Sequence, residues 1–191
     1  PRKQVVQAPY RHYFASVFGA IGLGIAERAL RVFKDQAAKR TRAYTGIAVG
    51  NTAPILIRLG ESTHQIAAAR ALMETTWDDH RIHAEARRYP DQRTAVHWRT
   101  NQAYTIKMCA EAVDRLFFAA GSSAWQDSNE LQRLYRDVHI AGSHAYTDYD
   151  LCSQAMDVNK WDYLLIPLSR QRHKSRNSVS IQQASRHVKN R

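Results

Sequence analysis

The chain contains 191 residues, of which 44% are hydrophobic, and carries a formal net charge of +11 at pH 7. This length and composition suit one globular domain with its own hydrophobic core, alone or followed by a tail. No run of about 18 apolar residues is present, so a membrane-spanning helix is not expected, and two cysteines without motif spacing predict neither a disulfide framework nor a metal site.

The first predicted helix runs from Tyr13 to about Arg40. Its segment FASVFGAIGLGIAERALRVF is apolar, rich in small residues and free of proline, which indicates a buried helix. Gly22 and Gly24 have a spacing found in dinucleotide-binding loops, but no strand precedes them, and that loop requires a strand-to-helix turn. We therefore expect these glycines to permit close packing between helices.

The second and third helices are marked by their first turns. Asn51 is placed to cap the second helix, with Pro54 in its first turn, and apolar residues keep helical spacing to about Ile82. The segment RRYPD interrupts the pattern, and Asp91 is placed to cap a third helix that continues to about Ala120.

A fourth helix follows the segment GSSAWQ. Asp127 and Glu130 form a D-x-x-E capping box that predicts its start. Four long helices, joined by loops of about 6 to 12 residues, and the absence of a convincing strand pattern indicate an all-α fold. We predict an antiparallel four-helix bundle over residues 1–168.

The two ends of the chain differ from this helical region. Seven of the 28 basic residues lie between Arg170 and Arg191, a segment that contains no acidic residue. Residues 169–191 are therefore predicted to form a disordered basic tail. The chain begins without Met and without the apolar segment of a signal peptide, so we expect a fragment or a processed product of a longer protein.

The segment RLYRDVHIAGSHAYTDYD, residues 133–150, concentrates titratable side chains in the fourth helix. On a helical wheel centred on Val138, the core stripe within about 60° contains Leu131, Leu134, Tyr135, Gly142, Ala145 and Tyr149. His139 and His144 lie on opposite flanks of this stripe, so they are not expected to form a metal pair. His144 can contact Asp148, which would orient its imidazole. Such a histidine is either a structural residue or a proton-transfer group.

This segment resembles the last core helix of the acyl-CoA dehydrogenase fold. Glu130, Arg133, Arg136 and Asp137 match the first half of that family's pattern. Where the family then reads Tyr-Glu-Gly-Thr, this chain reads HAYT, residues 144–147. The glutamate that abstracts the substrate α-proton in that family is therefore missing, which argues against fatty acyl-CoA dehydrogenation.

Histidine in this place is typical of the flavin-dependent monooxygenases with the same fold. The segments RTRAYTG, RLGES and RDVHIAGSHAYTDYD most resemble the oxygenase components of two-component 4-hydroxyphenylacetate 3-hydroxylases, over residues 1–168. The resemblance implies the C-terminal flavin-site and oligomerisation domain of a flavoprotein oxidoreductase, without the family's upstream helical and β-barrel domains. This domain alone is not expected to complete a turnover.

The resemblance implies chemistry on diffusible reduced FMN, with FAD as the alternative flavin, supplied by a separate flavin reductase. In this family, reduced flavin and oxygen form a C4a-hydroperoxide, which hydroxylates a phenolic substrate ortho to its hydroxyl group. The implied assembly is a homotetramer, arranged as a dimer of dimers. Two cysteines outside any disulfide framework favour a reducing, cytoplasmic setting.

Four residues match positions of this family's substrate and flavin site. The resemblance implies that His144 lies beside the phenol oxygen, where it would assist deprotonation or stabilise phenolate, and that Tyr146 shapes the substrate pocket. Because Tyr146 lies well off the core stripe, we expect a local helix break at HAYTD. Arg11 corresponds to an arginine beside the flavin and substrate, and Phe14 to a pocket wall. Without the resemblance, both residues would be interpreted as structural.

Two loops are predicted to bind the flavin phosphate. In acyl-CoA dehydrogenases an arginine stands three residues before an aromatic residue. Counting back from Tyr44 leads to Thr41, so the role falls to its neighbours, Arg40 and Arg42. The second loop is GSSAW, in which the predicted phosphate ligands are Gly121, Ser122 and Ser123. Both loops are also compatible with a flavin bound in a neighbouring subunit.

Two alternative functions remain open at this point. An amino-sugar N-oxygenase or a sulfur-oxidising monooxygenase would use the same fold and flavin chemistry, although His144 and Tyr146 together favour a phenol. A non-catalytic assembly or binding module with a basic tail is the alternative outside enzymes. Salt-sensitive RNA binding through residues 171–191 would support that module. Nucleic acid is not the expected partner, because much of the net positive charge is concentrated in the tail.

Overall fold

The computed structural model describes residues 10–41, 46 and 48–154, with their side chains from Phe14 onward. The helices in this part of the chain are α1 Tyr10–Lys39, α2 Ala53–Glu85, α3 Gln92–Ala120, α4 Glu130–Gly142 and the short α5 Tyr149–Gln154. The 3-10 segments Val49–Asn51 and Gly121–Trp125 precede α2 and follow α3, and no strand forms among the described residues. The predicted all-α bundle of four long helices is confirmed. The boundary at residue 168 and the basic tail lie outside the described residues.

Successive long helices run in opposite directions. Gly22 of α1 faces Ile106 of α3, and Arg40, just after α1, reaches Ala120 at the end of α3, so these two helices are parallel. Hydrogen bonds between α2 and α3 show that these two helices are antiparallel. A hydrogen bond and a ring contact show that α4 and the turn after it run antiparallel to α1. The most extensive contact joins α1 to α3, which form the central pair of the bundle. None of the described helices is long and apolar enough to cross a membrane.

Small residues allow α1 and α3 to approach each other closely. A Cβ atom at Gly22 would lie only 3.2 Å from Ile106 Cγ1, so a larger residue would push the helices apart. Gly24 is exposed and a Cβ there would meet nothing within 4 Å. The predicted packing role is therefore confirmed for Gly22 and wrong for Gly24. Side chains that fill the interior and are at most 3% exposed include Leu23, Phe33, Trp98, Leu116, Phe117 and Leu131.

Local sequence signals correctly mark the start of α3 and the first turn of α2. Asp91 is in an extended conformation, and its carboxylate accepts a hydrogen bond of 2.8 Å from the Thr94 N–H. Pro54 lies in the first turn of α2. The N–H groups of a first turn have no partner within the helix, so proline is tolerated there. Both predictions are confirmed.

Two other predicted caps are wrong. Asn51 belongs to a 3-10 segment, and the extended residue before α2 is Thr52. Asp127 does not cap α4; the cap is Asn129, whose Oδ1 accepts a bond of 3.0 Å from a first-turn N–H. The same oxygen accepts a bond of 3.0 Å from Gln36 Nε2 on α1. The contact with α1 therefore adds a tertiary hydrogen bond at Asn129 that a local capping box does not anticipate.

Replacing Gly22 by valine tests the close contact between α1 and α3. We expect Gly22→Val to lower the free energy of unfolding by about 1–3 kcal/mol, because the branched side chain overpacks the interface with Ile106. Gly24→Ala is the matched control, and it should raise the free energy of unfolding by about 0.5–1 kcal/mol because it stiffens an exposed helical position. Urea unfolding followed by circular dichroism measures both, and equal stability of the two variants would contradict the predicted packing.

Candidate active site

Helix α4 ends at Gly142, within the segment that the sequence pattern extends as a helix. The Ser143 N–H bonds to two carbonyl oxygens of the last turn, at 3.0 and 3.2 Å, and residues 143–148 form a turn that leads into α5. The predicted helix break is therefore confirmed. Because the helix has ended, Ala145 is exposed, and its assignment to the core stripe is wrong.

Thr147 holds this turn from the inside. Its side chain is 1% exposed, and its Oγ1 lies 2.8 Å from Ala141 O and 3.1 Å from His144 O. The backbone N–H groups of Thr147 and Asp148 donate to the same His144 carbonyl at 2.8 and 2.9 Å. The buried hydroxyl thus supplies a donor to the Ala141 carbonyl, which the end of α4 leaves without a helical partner.

Four ring-bearing residues meet where this turn packs on the start of α1, and we refer to Phe14, Phe18, His144 and Tyr146 as the aromatic cluster. The His144 imidazole stacks on Phe18 with ring centroids 4.4 Å apart and planes 24° from parallel. Phe14 meets Phe18 and Tyr146 edge-on, each at 5.3 Å. Tyr146 lies roughly parallel to the imidazole at 5.9 Å. The cluster combines flat apolar surfaces with one imidazole and one phenol group.

The backbone around His144 selects one form of its imidazole. The Tyr146 N–H donates to His144 Nδ1 at 3.3 Å, so Nδ1 carries no proton and the neutral ring is protonated at Nε2. The Asp148 carboxylate accepts from the Leu151 N–H at 3.1 Å, and the predicted contact between the His144 and Asp148 side chains is not formed. An Nε2–H group is suited to donating a hydrogen bond to an anionic oxygen.

Arg99 of α3 clamps the turn that carries His144 and Tyr146. Its Nη2 donates to Ala145 O at 2.8 Å and its Nε donates to Tyr146 O at 3.3 Å. The guanidinium carbon also lies 5.4 Å from the centre of the Tyr146 ring, within cation–π range. Beneath the turn, the 1% exposed Cys152 places its Sγ 3.5 Å from Tyr146 O. One side chain from a neighbouring helix therefore contacts both the backbone and a ring of the site.

The two histidines of the α4 segment serve different surroundings. His139 Nε2 lies 2.7 Å from Asp114 Oδ1 on α3, whereas His144 faces Phe18 of α1. The two histidines are separated as the sequence predicts, but His144 owes its position to the turn after α4 and not to a helix flank.

The structure brings together three of the residues that the sequence points to, namely Phe14, His144 and Tyr146. The side chain of Arg11 and the whole of Arg42 lie outside the described residues. Sequence reasoning missed two residues of this site, Phe18 and Arg99. Phe18 follows Phe14 by four residues and so shares its helix face, which is a usable signal. Arg99 has no local signal, because its partners lie 46 and 47 positions further along the chain.

The predicted phosphate residues lie at the opposite end of the bundle. Arg40 Nη1 donates to the carbonyl oxygen of Ala120, the last residue of α3, and the Ser123 hydroxyl donates to the same oxygen at 3.2 Å. Gly121 has φ 72° and ψ −157°, a conformation that is essentially restricted to glycine. Ser122 is exposed. Arg40 and Ser123 thus stabilise the negative end of α3, whatever else they bind.

The distance between the two ends limits what they can bind together. At 1.5 Å per residue, Phe14 and Arg40 are separated by about 39 Å along α1. The aromatic cluster and the group formed by Arg40 and residues 121–123 therefore cannot contact one flavin mononucleotide within a single chain.

Comparison with known proteins identifies the fold and its relatives. The family model described as acyl-CoA dehydrogenase, C-terminal domain, matches residues 16–149. The chain is 57% identical over 156 residues to the oxygenase component of p-hydroxyphenylacetate 3-hydroxylase of Acinetobacter baumannii, covering 82% of this chain and 37% of that protein. It is 27% identical over 146 residues to the oxygenase subunit HsaA, a flavin-dependent monooxygenase of Mycobacterium tuberculosis, covering 75% and 37%. The chain thus spans less than two fifths of the length of these relatives.

Solved structures show the same fold. The 3-HSA hydroxylase of Rhodococcus sp. RHA1 superposes with a TM-score of 0.70 at 21% identity, over 83% of this chain and 41% of that one. XiaF of Streptomyces sp., in complex with FADH2 and glycerol, gives a TM-score of 0.72 at 20% identity, over 83% and 40%. An acyl-CoA dehydrogenase of Geobacillus kaustophilus gives 0.63 at 15% identity, over 76% and 36%.

Thr147 offers a test of how the turn is held. Valine has nearly the same shape but no hydroxyl, so Thr147→Val leaves the buried carbonyl of Ala141 without its donor. We expect this change to lower the free energy of unfolding by about 1–3 kcal/mol. Thr147→Ser keeps the donor and should cost clearly less. Urea unfolding measures both variants, and a valine variant as stable as the parent chain would show that the hydroxyl does not support the turn.

Proposed function

The chain belongs to the acyl-CoA dehydrogenase C-terminal domain family, and from this premise we propose that it is the flavin-site and oligomerisation domain of a flavin-dependent monooxygenase. The substrate we propose is a phenol similar to 4-hydroxyphenylacetate, hydroxylated ortho to its hydroxyl group. A separate flavin reductase would supply the reduced flavin, with FMN preferred to FAD. The observation that carries this proposal is the aromatic cluster, which presents the Nε2–H group of His144 among aromatic rings.

The aromatic cluster fits a phenolic substrate in shape and in charge. Phe14 and Tyr146 offer apolar and edge contacts to an aromatic ring. The Nε2–H group of His144 would donate to the phenol oxygen, and a hydrogen bond to the charged form favours ionisation of the phenol. Phenolate is the more electron-rich form, and it reacts more readily with an electrophilic oxygen atom. His144 would thus act by holding the substrate as phenolate.

The chemistry absent from this segment also supports the proposal. Acyl-CoA dehydrogenation needs a carboxylate base, and the corresponding segment here, HAYT, has none. A reduced flavin bound at this site would supply the activation of molecular oxygen. The residues of the chain would contribute binding, orientation and the exclusion of water, and the stacking of His144 on Phe18 covers one face of the imidazole.

For the flavin itself, we propose two separate contributions. Arg11, one turn before Phe14 on α1, would stabilise the anionic reduced ring system near the aromatic cluster. Arg40, Arg42 and residues 121–123 would contact the phosphate of a flavin bound in a neighbouring copy, because Arg40 lies about 39 Å from Phe14 along α1. Arg40 donates one N–H group to Ala120 O, and its guanidinium group has four further N–H donors. This arrangement calls for an oligomer, and we propose a dimer of dimers.

Catechol formation tests the proposed reaction. The protein to assay is a chimera in which this chain replaces the matching 156-residue segment of the Acinetobacter relative, supplied with chemically reduced FMN, oxygen and 4-hydroxyphenylacetate. We expect the chimera to form the catechol, and His144→Ala to reduce the rate by about a hundredfold through loss of a donor to the phenolate oxygen. Chromatography with mass detection measures the product.

His139→Ala in the same chimera is the matched control, because His139 bonds to Asp114 outside the aromatic cluster and its loss should leave the rate nearly unchanged. Hydrogen peroxide without catechol would reject the phenolic substrate and favour another oxygenation. No flavin-dependent oxygen consumption, in a chimera that folds, would reject the enzyme assignment.

The phosphate proposal is tested by comparing FMN with riboflavin, which lacks the phosphate group. If Arg40 contacts the phosphate, Arg40→Gln should weaken binding of reduced FMN to the chimera by about tenfold and leave riboflavin binding unchanged. Anaerobic fluorescence titration measures both affinities. Arg58→Gln is the control, because Arg58 is exposed and, among the described residues, donates its hydrogen bond to Pro54 O of its own helix. An equal loss for the two flavins would show that Arg40 acts only on the structure of the α3 end.

A further inference from the structure

We propose that Arg99 is a positioning residue, which sets the shape of the 143–148 turn and thereby selects the ring nitrogen that His144 presents to the substrate. Its catalytic consequence rests on the proposed function, whereas its effect on His144 can be measured in the chain itself. Arg99 lies on α3 and would act through the turn rather than on the substrate.

Arg99 holds the turn first through the carbonyl groups of Ala145 and Tyr146. If α4 continued, the carbonyl oxygens of Ala145 and Tyr146 would accept N–H groups four residues later; the turn removes those partners. Arg99 donates to both oxygens from two nitrogens of one rigid, planar group. Two bonds from one rigid donor fix the orientation of the turn more firmly than a single bond would.

The second link follows from the planarity of the peptide bond. The carbonyl oxygen of Ala145 and the N–H of Tyr146 belong to the same trans peptide unit and point in opposite directions. When Arg99 holds Ala145 O at 2.8 Å, it also fixes the direction of the Tyr146 N–H. That N–H is the group that donates to His144 Nδ1. Arg99 therefore favours the imidazole form with its proton on Nε2.

The third link is the stack of rings. The guanidinium group lies against the Tyr146 ring, Tyr146 lies nearly parallel to His144, and His144 stacks on Phe18. The cation attracts the Tyr146 ring and so favours one orientation of that ring, beside which His144 lies. The same side chain thus supports both the hydrogen bond to His144 and the plane of its ring.

Lysine could not replace this function. An ammonium group is a compact charge without the planar fork, so it cannot bridge two successive carbonyls and a ring in the same way. Arg115 provides a matched control on the same helix, because it donates to Ser62 and Gln65 of α2 and takes no part in the turn. Arg115 is about 24 Å from Arg99 along α3.

The decisive experiment measures which nitrogen of His144 is protonated. The 191-residue chain is labelled with ¹⁵N in its histidines, and the ring nitrogen shifts are recorded by NMR at a pH where the imidazole is neutral, with His144→Gln to assign the signals. The parent chain should show a bare Nδ1 and a protonated Nε2. Arg99→Met and Arg99→Lys should both populate the second tautomer, and Arg115→Met should not. An unchanged His144 pattern in Arg99→Met would overturn the proposal.

Cysteine alkylation shows whether the effect is local. Cys152 lies under the turn and Cys109 lies in the core, and burial raises the pKa of both thiols, that of Cys109 to about 12. Arg99 partly offsets the raised pKa of Cys152, so its loss would by itself slow the reaction of this thiol, and a faster reaction reports opening of the turn. Arg99→Met should speed the reaction of Cys152 with iodoacetamide by about tenfold while leaving Cys109 protected, because only the turn opens. Peptide mass spectrometry measures the two rates. An equal rise at both cysteines would show general destabilisation and would also overturn the proposal.

Neither measurement requires flavin or catalysis, so the two proposals can fail separately. A chimera that forms no catechol with Arg99 intact would reject the proposed function, while the tautomer measurement would still decide the role of Arg99. An active chimera whose rate and His144 tautomer are both insensitive to Arg99→Met would reject that role alone.

Discussion

Helix ends are the constraint on which this structure depends, because each leaves backbone N–H or carbonyl groups without partners inside the helix. Side chains from other elements satisfy these groups at both ends of the bundle. Asn129 caps the start of α4 and bonds to α1, Arg40 meets the last carbonyl of α3, and Thr147 meets a carbonyl near the end of α4. Arg99 does the same for the turn that follows. The residues that end the helices thus also tie neighbouring helices together.

The close contact of α1 with α3 brings residues of both helices to the 143–148 turn and so forms the site. Gly22 permits the two helices to pack centre to centre, which brings the start of α1 beside the first third of α3. Phe14 and Phe18 then face the turn from one side, and Arg99 reaches it from the other. The aromatic cluster is therefore assembled from α1 and the turn after α4, with Arg99 of α3 supporting that turn, and its histidine has a defined hydrogen-bonding state before any substrate arrives.

The sequence predicts those features that depend on residues close together in the chain. Apolar spacing and Asp91 correctly indicate the helices, and the helix break near Tyr146 follows from its position off the core stripe. The bond between Asn129 and Gln36, which ties the cap of α4 to α1, could not be predicted because it spans 93 positions. The contacts of Arg99 could not be predicted either, because its partners lie 46 and 47 positions further along the chain. The expected pairing of His144 with Asp148 assumed an unbroken helix, and it is lost because the helix ends at Gly142.

We propose that the Nε2–H group of His144 holds a phenol as phenolate, in a fold whose acyl-CoA dehydrogenase members use a carboxylate base. Phenol and phenolate differ in near-ultraviolet absorbance, so a difference spectrum of 4-hydroxyphenylacetate bound to the chimera at neutral pH measures the ionised fraction directly. We expect a phenolate band that disappears in His144→Gln while the ligand still binds. A bound ligand with the spectrum of neutral phenol, identical in both proteins, would contradict it.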